Sequence, residues 1–220
     1  MRYYLLFIVS AITIMAGTAQ EKKYSTFYYQ RATLFEQLPV DTDDIIFLGN
    51  SITNGCEWVE LFANPHIKNR GISGDITEGV YDRLYPIVQG KPAKLFLLIG
   101  INDVARDSSA QAIVQNIERI VEKIKQETPS TRIYLQSVLP VSDHYKMFEG
   151  HTSRWQRIPE INAGLKQLAS RHQITYIDLY SHFLDPSTGK MNIEYTNDGL
   201  HLLGKGYLLW RNIVLPYINE

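Results

Sequence analysis

The stretch that decides the fold is Ile45-Ile46-Phe47-Leu48-Gly49-Asn50-Ser51-Ile52-Thr53. Four consecutive apolar residues suit a strand buried on both faces, as in a parallel sheet, and Gly49-Asn50 breaks the run. A serine follows directly. In open α/β sheets, the carboxyl ends of the strands are where ligand-binding and reacting groups collect. Working outward, Lys94-Leu95-Phe96-Leu97-Leu98-Ile99 is a stronger run of the same kind, Arg132 to Val138 a third stopped by Pro140, and Ile174 to Ile177 a fourth entering Asp178. A short strand at His66-Ile67-Lys68-Asn69 completes five. Between them, Ser109 to Glu127 places Ile113, Ile117, Ile120, Val121 and Ile124 on one helical face and ends before Pro129. Ile158, Ile161, Leu165 and Leu168 repeat that spacing, and Gly204 to Ile218 reads as a closing helix. Strands alternating with such helices predict an α/β sheet covered on both faces, with right-handed crossovers.

The two ends of the chain differ in kind. Arg2, the apolar run Tyr3 to Met15 and the small residues Ala16-Gly17-Thr18-Ala19 have the form of a secretory signal cleaved after Ala19. The run is short of the roughly 20 residues that span a bilayer, so a retained membrane anchor is the weaker reading. About 200 residues remain, enough for one domain over residues 20–220. From Gln20 to Pro39, a stripe of Phe27, Tyr28, Tyr29, Leu34, Phe35 and Leu38 predicts an amphipathic helix packed on that domain. Lys and Arg number 22 against 23 Asp and Glu, without a basic stripe, which argues against a nucleic-acid partner. Cys56 is the single cysteine, so no internal disulfide forms, and it reads as a small buried hydrophobe.

Polar residues gather in the loops after the strands. Gly49-Asn50-Ser51, Arg70-Gly71-Ile72-Ser73-Gly74-Asp75 and Gly100-Ile101-Asn102-Asp103 each follow a strand, and parallel strands bring such loops to one edge. Backbone N–H groups beside an asparagine amide suit a developing oxyanion. Near the far end, Asp198-Gly199-Leu200-His201 supplies a carboxylate and an imidazole three residues apart. Taken singly, each block has an ordinary explanation: Ser51 as a helix cap, Asn102 and Asp103 as loop hydrogen-bonders, Asp198-Gly199 as a turn.

Together these four blocks, in this order and spacing, resemble the signature blocks of the SGNH hydrolases, also called the GDSL esterase/lipase family. Within it, the FLGNSIT, NRGISGD and IGIND stretches look most like bacterial members related to platelet-activating-factor acetylhydrolase and to carbohydrate acetylesterases. The resemblance covers essentially the whole chain after the leader. It implies a three-layer α/β/α sandwich, the flavodoxin-like SGNH hydrolase fold, with about five parallel strands. It also implies Ser51 as nucleophile, His201 as general base and Asp198 as the acid that orients it. The oxyanion donors it implies are the Ser51 N–H, the Gly71 N–H and the Asn102 side-chain amide. Many relatives carry aspartate where this chain has Asn50, which removes a charge beside the serine. The Gly-x-Ser-x-Gly elbow of the other large serine-hydrolase fold is absent, since Thr53 stands at its last position.

The activity so implied is hydrolysis of short-chain, O-acetyl esters on carbohydrate, through an acyl-enzyme and without cofactor or metal, in the periplasm or outside a bacterial cell. A lysophospholipase or thioesterase and a non-catalytic carbohydrate-binding protein are the alternatives. Trp155 and Tyr145 are read as a sugar-stacking rim. Arg70 is a candidate for holding a substrate carboxylate or phosphate, although pairing with a nearby Asp is the commoner role of such an arginine. Asp75 and Asp103 read as loop braces and Trp58 as core. His144, His151 and His182 form no metal set with His201, and 144–159 is read as a loop bordering the site. The sequence does not specify an oligomeric state.

Overall fold

A computed structural model describes residues 23–220, so the leader and cleavage site read at residues 1–19 lie outside the described residues. The elements run α1 (Thr26–Gln37), β1 (Ile45–Gly49), α2 (Ser51–Asn54), α3 (Trp58–Phe62), β2 (Ile67–Gly71), α4 (Thr77–Asp82), α5 (Tyr85–Gly90) and β3 (Lys94–Leu98). They continue with α6 (Ile101–Ala105), α7 (Ala110–Glu127), β4 (Arg132–Gln136), α8 (Glu149–Thr152), α9 (Arg157–His172) and β5 (Thr175–Ile177). Last come α10 (Tyr180–Phe183), a short antiparallel pair β6 (Leu184–Asp185) and β7 (Lys190–Met191), a 3-10 turn at Ile193–Tyr195, and α11 (Gly204–Asn219).

Strands β1 to β5 form one parallel sheet in the order β2-β1-β3-β4-β5. This is the flavodoxin-like order, and its topological switch lies between β1 and β3. The loops after those two strands carry Ser51 and Asn102. All five residues of β1 and of β3 are buried, which explains the apolar runs at 45–48 and 95–98. Phe47, Phe96 and Tyr134 stack across β1, β3 and β4, with ring centroids 4.9 and 4.4 Å apart. Such pairs add about 0.5–1.5 kcal/mol beyond area burial. Trp58 closes the ladder, stacked on Phe47 at 4.1 Å and buried as read from the sequence.

Helices cover both sides of the sheet, giving the three-layer α/β/α sandwich. The isoleucine face of α7 is buried as its spacing predicts, and α7 packs with α4, α5 and α9; α3 and α11 pack together. The N-terminal stripe is only partly right. Helix α1 turns Tyr28, Ala32 and Phe35 inward, where they cluster with Ile72, and leaves Phe27, Leu34 and Leu38 exposed. Its docking is polar as well as apolar: the Tyr28 hydroxyl donates to the Gly79 carbonyl at 2.8 Å. Among the described residues no helix is long and apolar enough to cross a membrane.

Candidate active site

Strand β1 delivers the serine, and its neighbours free it. Gly49 must be glycine because a Cβ would overlap the Leu98 carbonyl and the Thr53 side chain. Asn50 caps α2, its Oδ1 accepting from the Ile52 N–H at 3.0 Å. The capping role that Ser51 alone suggests is therefore taken by Asn50, and the Ser51 hydroxyl lies 3.0 Å from His201 Nε2. As the first residue of α2, Ser51 has no intrahelical acceptor for its own N–H. The short helix is tethered from outside: Trp58 Nε1 donates to the Thr53 carbonyl and the Tyr207 hydroxyl to that of Ile52.

The imidazole is held by a turn. Asp198 Oδ2 meets His201 Nδ1 at 2.7 Å, while Oδ1 accepts the Leu200 and His201 N–H groups, both at 2.8 Å. Thr196 Oγ1 accepts the Gly199 N–H at 2.9 Å. Gly199 has φ +86°, and a Cβ there would run into the Ser142 carbonyl, so only glycine makes this turn. Burial works to raise the Asp198 pKa, but the His201 and Leu200 N–H groups and the imidazole together hold it below the usual carboxylate value. With Nδ1 committed to the carboxylate, Nε2 is the nitrogen that can take a proton from Ser51.

A donor cluster stands in the adjoining loops. Asn102 is the second residue of α6, and its Nδ2 donates one N–H to the Asp75 carbonyl at 2.8 Å, leaving the second available. Gly71 does not match its reading as an oxyanion donor. Its N–H already donates to Asn69 Oδ1 at 2.9 Å, and Asn69 Nδ2 is anchored on the Asn54 and Cys56 carbonyls. A Cβ at Gly71 would overlap the backbone of Asn54 and Asn50, so this glycine lets β2 close on α2. Three residues on, Gly74 has φ +80°, is exposed, and has open space beside its Cα. Among the described residues its N–H has no protein acceptor.

Behind these loops lies a buried brace. Arg83 donates to Asp75 Oδ2 at 2.8 Å, to the Arg70 carbonyl at 2.9 Å and to the Gly49 carbonyl at 3.0 Å, tying the ends of β1 and β2 together. Asp103 accepts from the Thr77 N–H and from the Thr77 hydroxyl at 2.5 Å. Both aspartates thus brace loops. Burial pushes the Cys56 thiol up to about 12, which leaves it no thiolate for chemistry at neutral pH.

Of the substrate rim read from the sequence, Arg70 is corrected by its burial. Arg70 is 4% exposed, with its guanidinium 4.9 Å from the Phe35 ring and bonded to the Asn69 carbonyl, while the ion pair with Asp75 belongs to Arg83. Tyr145 spends its hydroxyl on the Thr196 carbonyl, and Trp155 packs against the core beneath Lys190. An aromatic that the sequence reading left out also stands at the site: the Phe148 ring sits edge-on to His201 with centroids 5.1 Å apart. His151 is the second residue that the sequence reading left out of the site, its Nε2 lying 2.9 Å from Asn102 Oδ1. Both fall in 144–159, the segment read as bordering the site, where no long periodic pattern assigns individual roles.

Two groups of metal-capable side chains occur among the described residues, Asp41-Asp44-His66 and Glu118-Glu122-His172. Neither includes a member of the Ser51 cluster. Asp44 already faces Lys68 at 3.4 Å, and Glu118 is bonded to Arg171 and His172.

A flavodoxin-like sheet carrying a serine–histidine–aspartate line at its switch point defines a class, the hydrolases with a serine at the end of β1. The chain belongs to the GDSL-like lipase/acylhydrolase family, whose profile matches residues 47–209. A Streptococcus pneumonia structure described as a platelet activating factor is 30% identical, with TM-score 0.80 over 87% of this chain and 92% of that one. A GDSL-like lipase from Bacteroides thetaiotaomicron is 26% identical, with TM-score 0.75 over 87% and 97%. Among curated proteins, the alpha2 subunit of rat platelet-activating factor acetylhydrolase IB is 27% identical over 170 residues, 74% of this chain and 71% of that protein.

Proposed function

We propose that this chain is a serine esterase that removes short acyl groups, acetyl above all, from an alcohol. The observation that carries the reading is the unbroken line from Ser51 Oγ through His201 to Asp198, at 3.0 and 2.7 Å. In the proposed cycle, Ser51 Oγ attacks the ester carbonyl carbon as His201 Nε2 takes its proton, giving a tetrahedral oxyanion. His201 then returns the proton to the departing alkoxide, and the C–O bond breaks to leave an acyl-enzyme. Water repeats the sequence, releasing the acid and restoring Ser51. The Ser51 N–H and the free Asn102 N–H serve as oxyanion donors, and Gly74 takes the place first read for Gly71, since its N–H has no competing acceptor. One such donor is worth roughly 3 kcal/mol in the transition state.

Two observations favour a short acyl group. The Phe148 ring stands against His201, the base bonded to Ser51, and the rat relative is named an acetylhydrolase. The carbohydrate half of the reading rests on the export signal and on the bacterial resemblance. Extracytoplasmic action is part of the same proposal. The test is hydrolysis of p-nitrophenyl acetate and octanoate, followed by acetate release from acetylated glycans. Wild type turning over acetate faster than octanoate, with Ser51→Ala inactive, supports the reading. Rates rising steeply with chain length point to a lipid acylhydrolase, and binding of glycans without any turnover to a carbohydrate-binding protein.

A further inference from the structure

We infer that His151 is a positioning residue for the oxyanion amide: its ring N–H holds Asn102 so that the one uncommitted amide N–H faces the developing charge. This assignment rests on the proposed esterase reading and extends it to a residue outside the four signature blocks.

The hydrogen-bond inventory fixes the roles. Asn102 Nδ2 lies 2.8 Å from the Asp75 carbonyl, which only accepts, so that end of the side chain is the donor. The other end, 2.9 Å from His151 Nε2, is therefore the acceptor Oδ1, and His151 carries its proton on Nε2. Two partners of opposite kind thus clamp the two ends of one amide. An amide whose oxygen accepts a hydrogen bond is polarised toward N–H donation, which strengthens the remaining donor. Burial, followed by the nearby His201, lowers the His151 pKa against an opposing effect of the Phe148 carbonyl, favouring the neutral Nε2–H form this geometry requires.

The surrounding fold holds His151 in place. Gly150 packs over Ala105, so α8 closes directly on α6. The Phe148 carbonyl accepts the His151 N–H at 2.8 Å, and the Phe148 ring contacts both His151 and His201. On the far side, Arg154 and Arg157 bind Asp107, at 3.2 and 2.7 Å, and Arg157 also donates to the Ser108 carbonyl. Residues 148–157 are thereby bound to the loop that follows Asn102.

A double-mutant cycle read by kcat and KM separately tests the assignment. For p-nitrophenyl acetate, His151→Ala is expected to lower kcat by about 10- to 100-fold, within the 10²–10³-fold worth of a whole oxyanion donor, and to move KM less than about twofold. His151→Gln, which keeps an N–H donor, recovers most of that loss. In an Asn102→Ala background, His151→Ala costs less than about twofold. Losses that multiply across the two positions, or a glutamine variant no better than alanine, overturn the assignment while leaving the esterase intact. Misfolding as the cause of the loss shows as a lowered Tm in the His151 variants, and it too overturns the assignment. An inactive wild type, or activity surviving Ser51→Ala, overturns the esterase reading itself and with it the role of His151.

Discussion

At the scale of single residues, the Asp198 carboxylate has one function in the proposed cycle: to keep His201 in the tautomer that presents a bare Nε2 to Ser51. Asp198→Asn keeps the shape and loses that control, so kcat is expected to fall roughly 10³- to 10⁴-fold, measured with p-nitrophenyl acetate. The same carboxylate links stability to pH. Its pKa is lowered in the folded state, so the stability it contributes is complete above the ordinary Asp value and is lost as pH falls through the folded value. Denaturant unfolding is expected to show wild type more stable than Asp198→Asn near pH 7, with the gap closing below about pH 4. Ser51, Asn102, Asp198 and His201 were legible as chemistry because each stands at the end of a strand or in a short polar turn. The donor glycine was not. Gly71 ends β2 and Gly74 lies three residues on, and the Asn69 side chain, which occupies only the first N–H, is held there by tertiary bonds to the Asn54 and Cys56 carbonyls that have no sequence signature. A crystal structure of the fluorophosphonate adduct is expected to place the phosphoryl oxygen on Gly74 N; finding it on Gly71 N contradicts the reassignment.

Elements position these residues, and Arg83 is the clearest case. It sits at the end of α4 and reaches the carbonyls that close β1 and β2. Replacing it by methionine strands Asp75 in a buried place, at an expected cost of about 3–5 kcal/mol in urea unfolding. The double variant Arg83→Met with Asp75→Leu recovers most of that loss, because no uncompensated buried charge remains. The Phe148 turn is the corresponding element on the substrate side. Phe148→Ala is expected to raise the octanoate-to-acetate rate ratio several-fold, and an unchanged ratio means that the ring does not limit acyl length. Strands β1 and β3 and helices α7, α9 and α11 were readable because runs of four or more apolar residues, or three turns of helical spacing, outweigh local noise, while β2, β4 and β5 carry shorter or mixed runs and were read from their place between helices. The four- to six-residue helices α2 to α6 and α8 are too short to show a period, and tertiary packing decides them.

Across the whole molecule, the strand order is what turns four sequence blocks into one site. Crossing from β2 to β3 past β1 opens the switch point, and residues 51 apart in the chain, Ser51 and Asn102, flank it. The turn carrying Asp198 and His201 reaches the same edge just before α11, whose Tyr207 ties back to Ile52. The sheet's alternation with helices implied this layout, while the docking of 144–159 over Asn102 followed only from the fold. The central claim is that Ser51, activated by His201, is the nucleophile. Intact-protein and peptide mass spectrometry after fluorophosphonate treatment tests it most directly. The account predicts one adduct, on Ser51, missing in Ser51→Ala and strongly slowed in a His201→Ala variant that still folds. An unmodified wild type, or an adduct on any other residue, contradicts it.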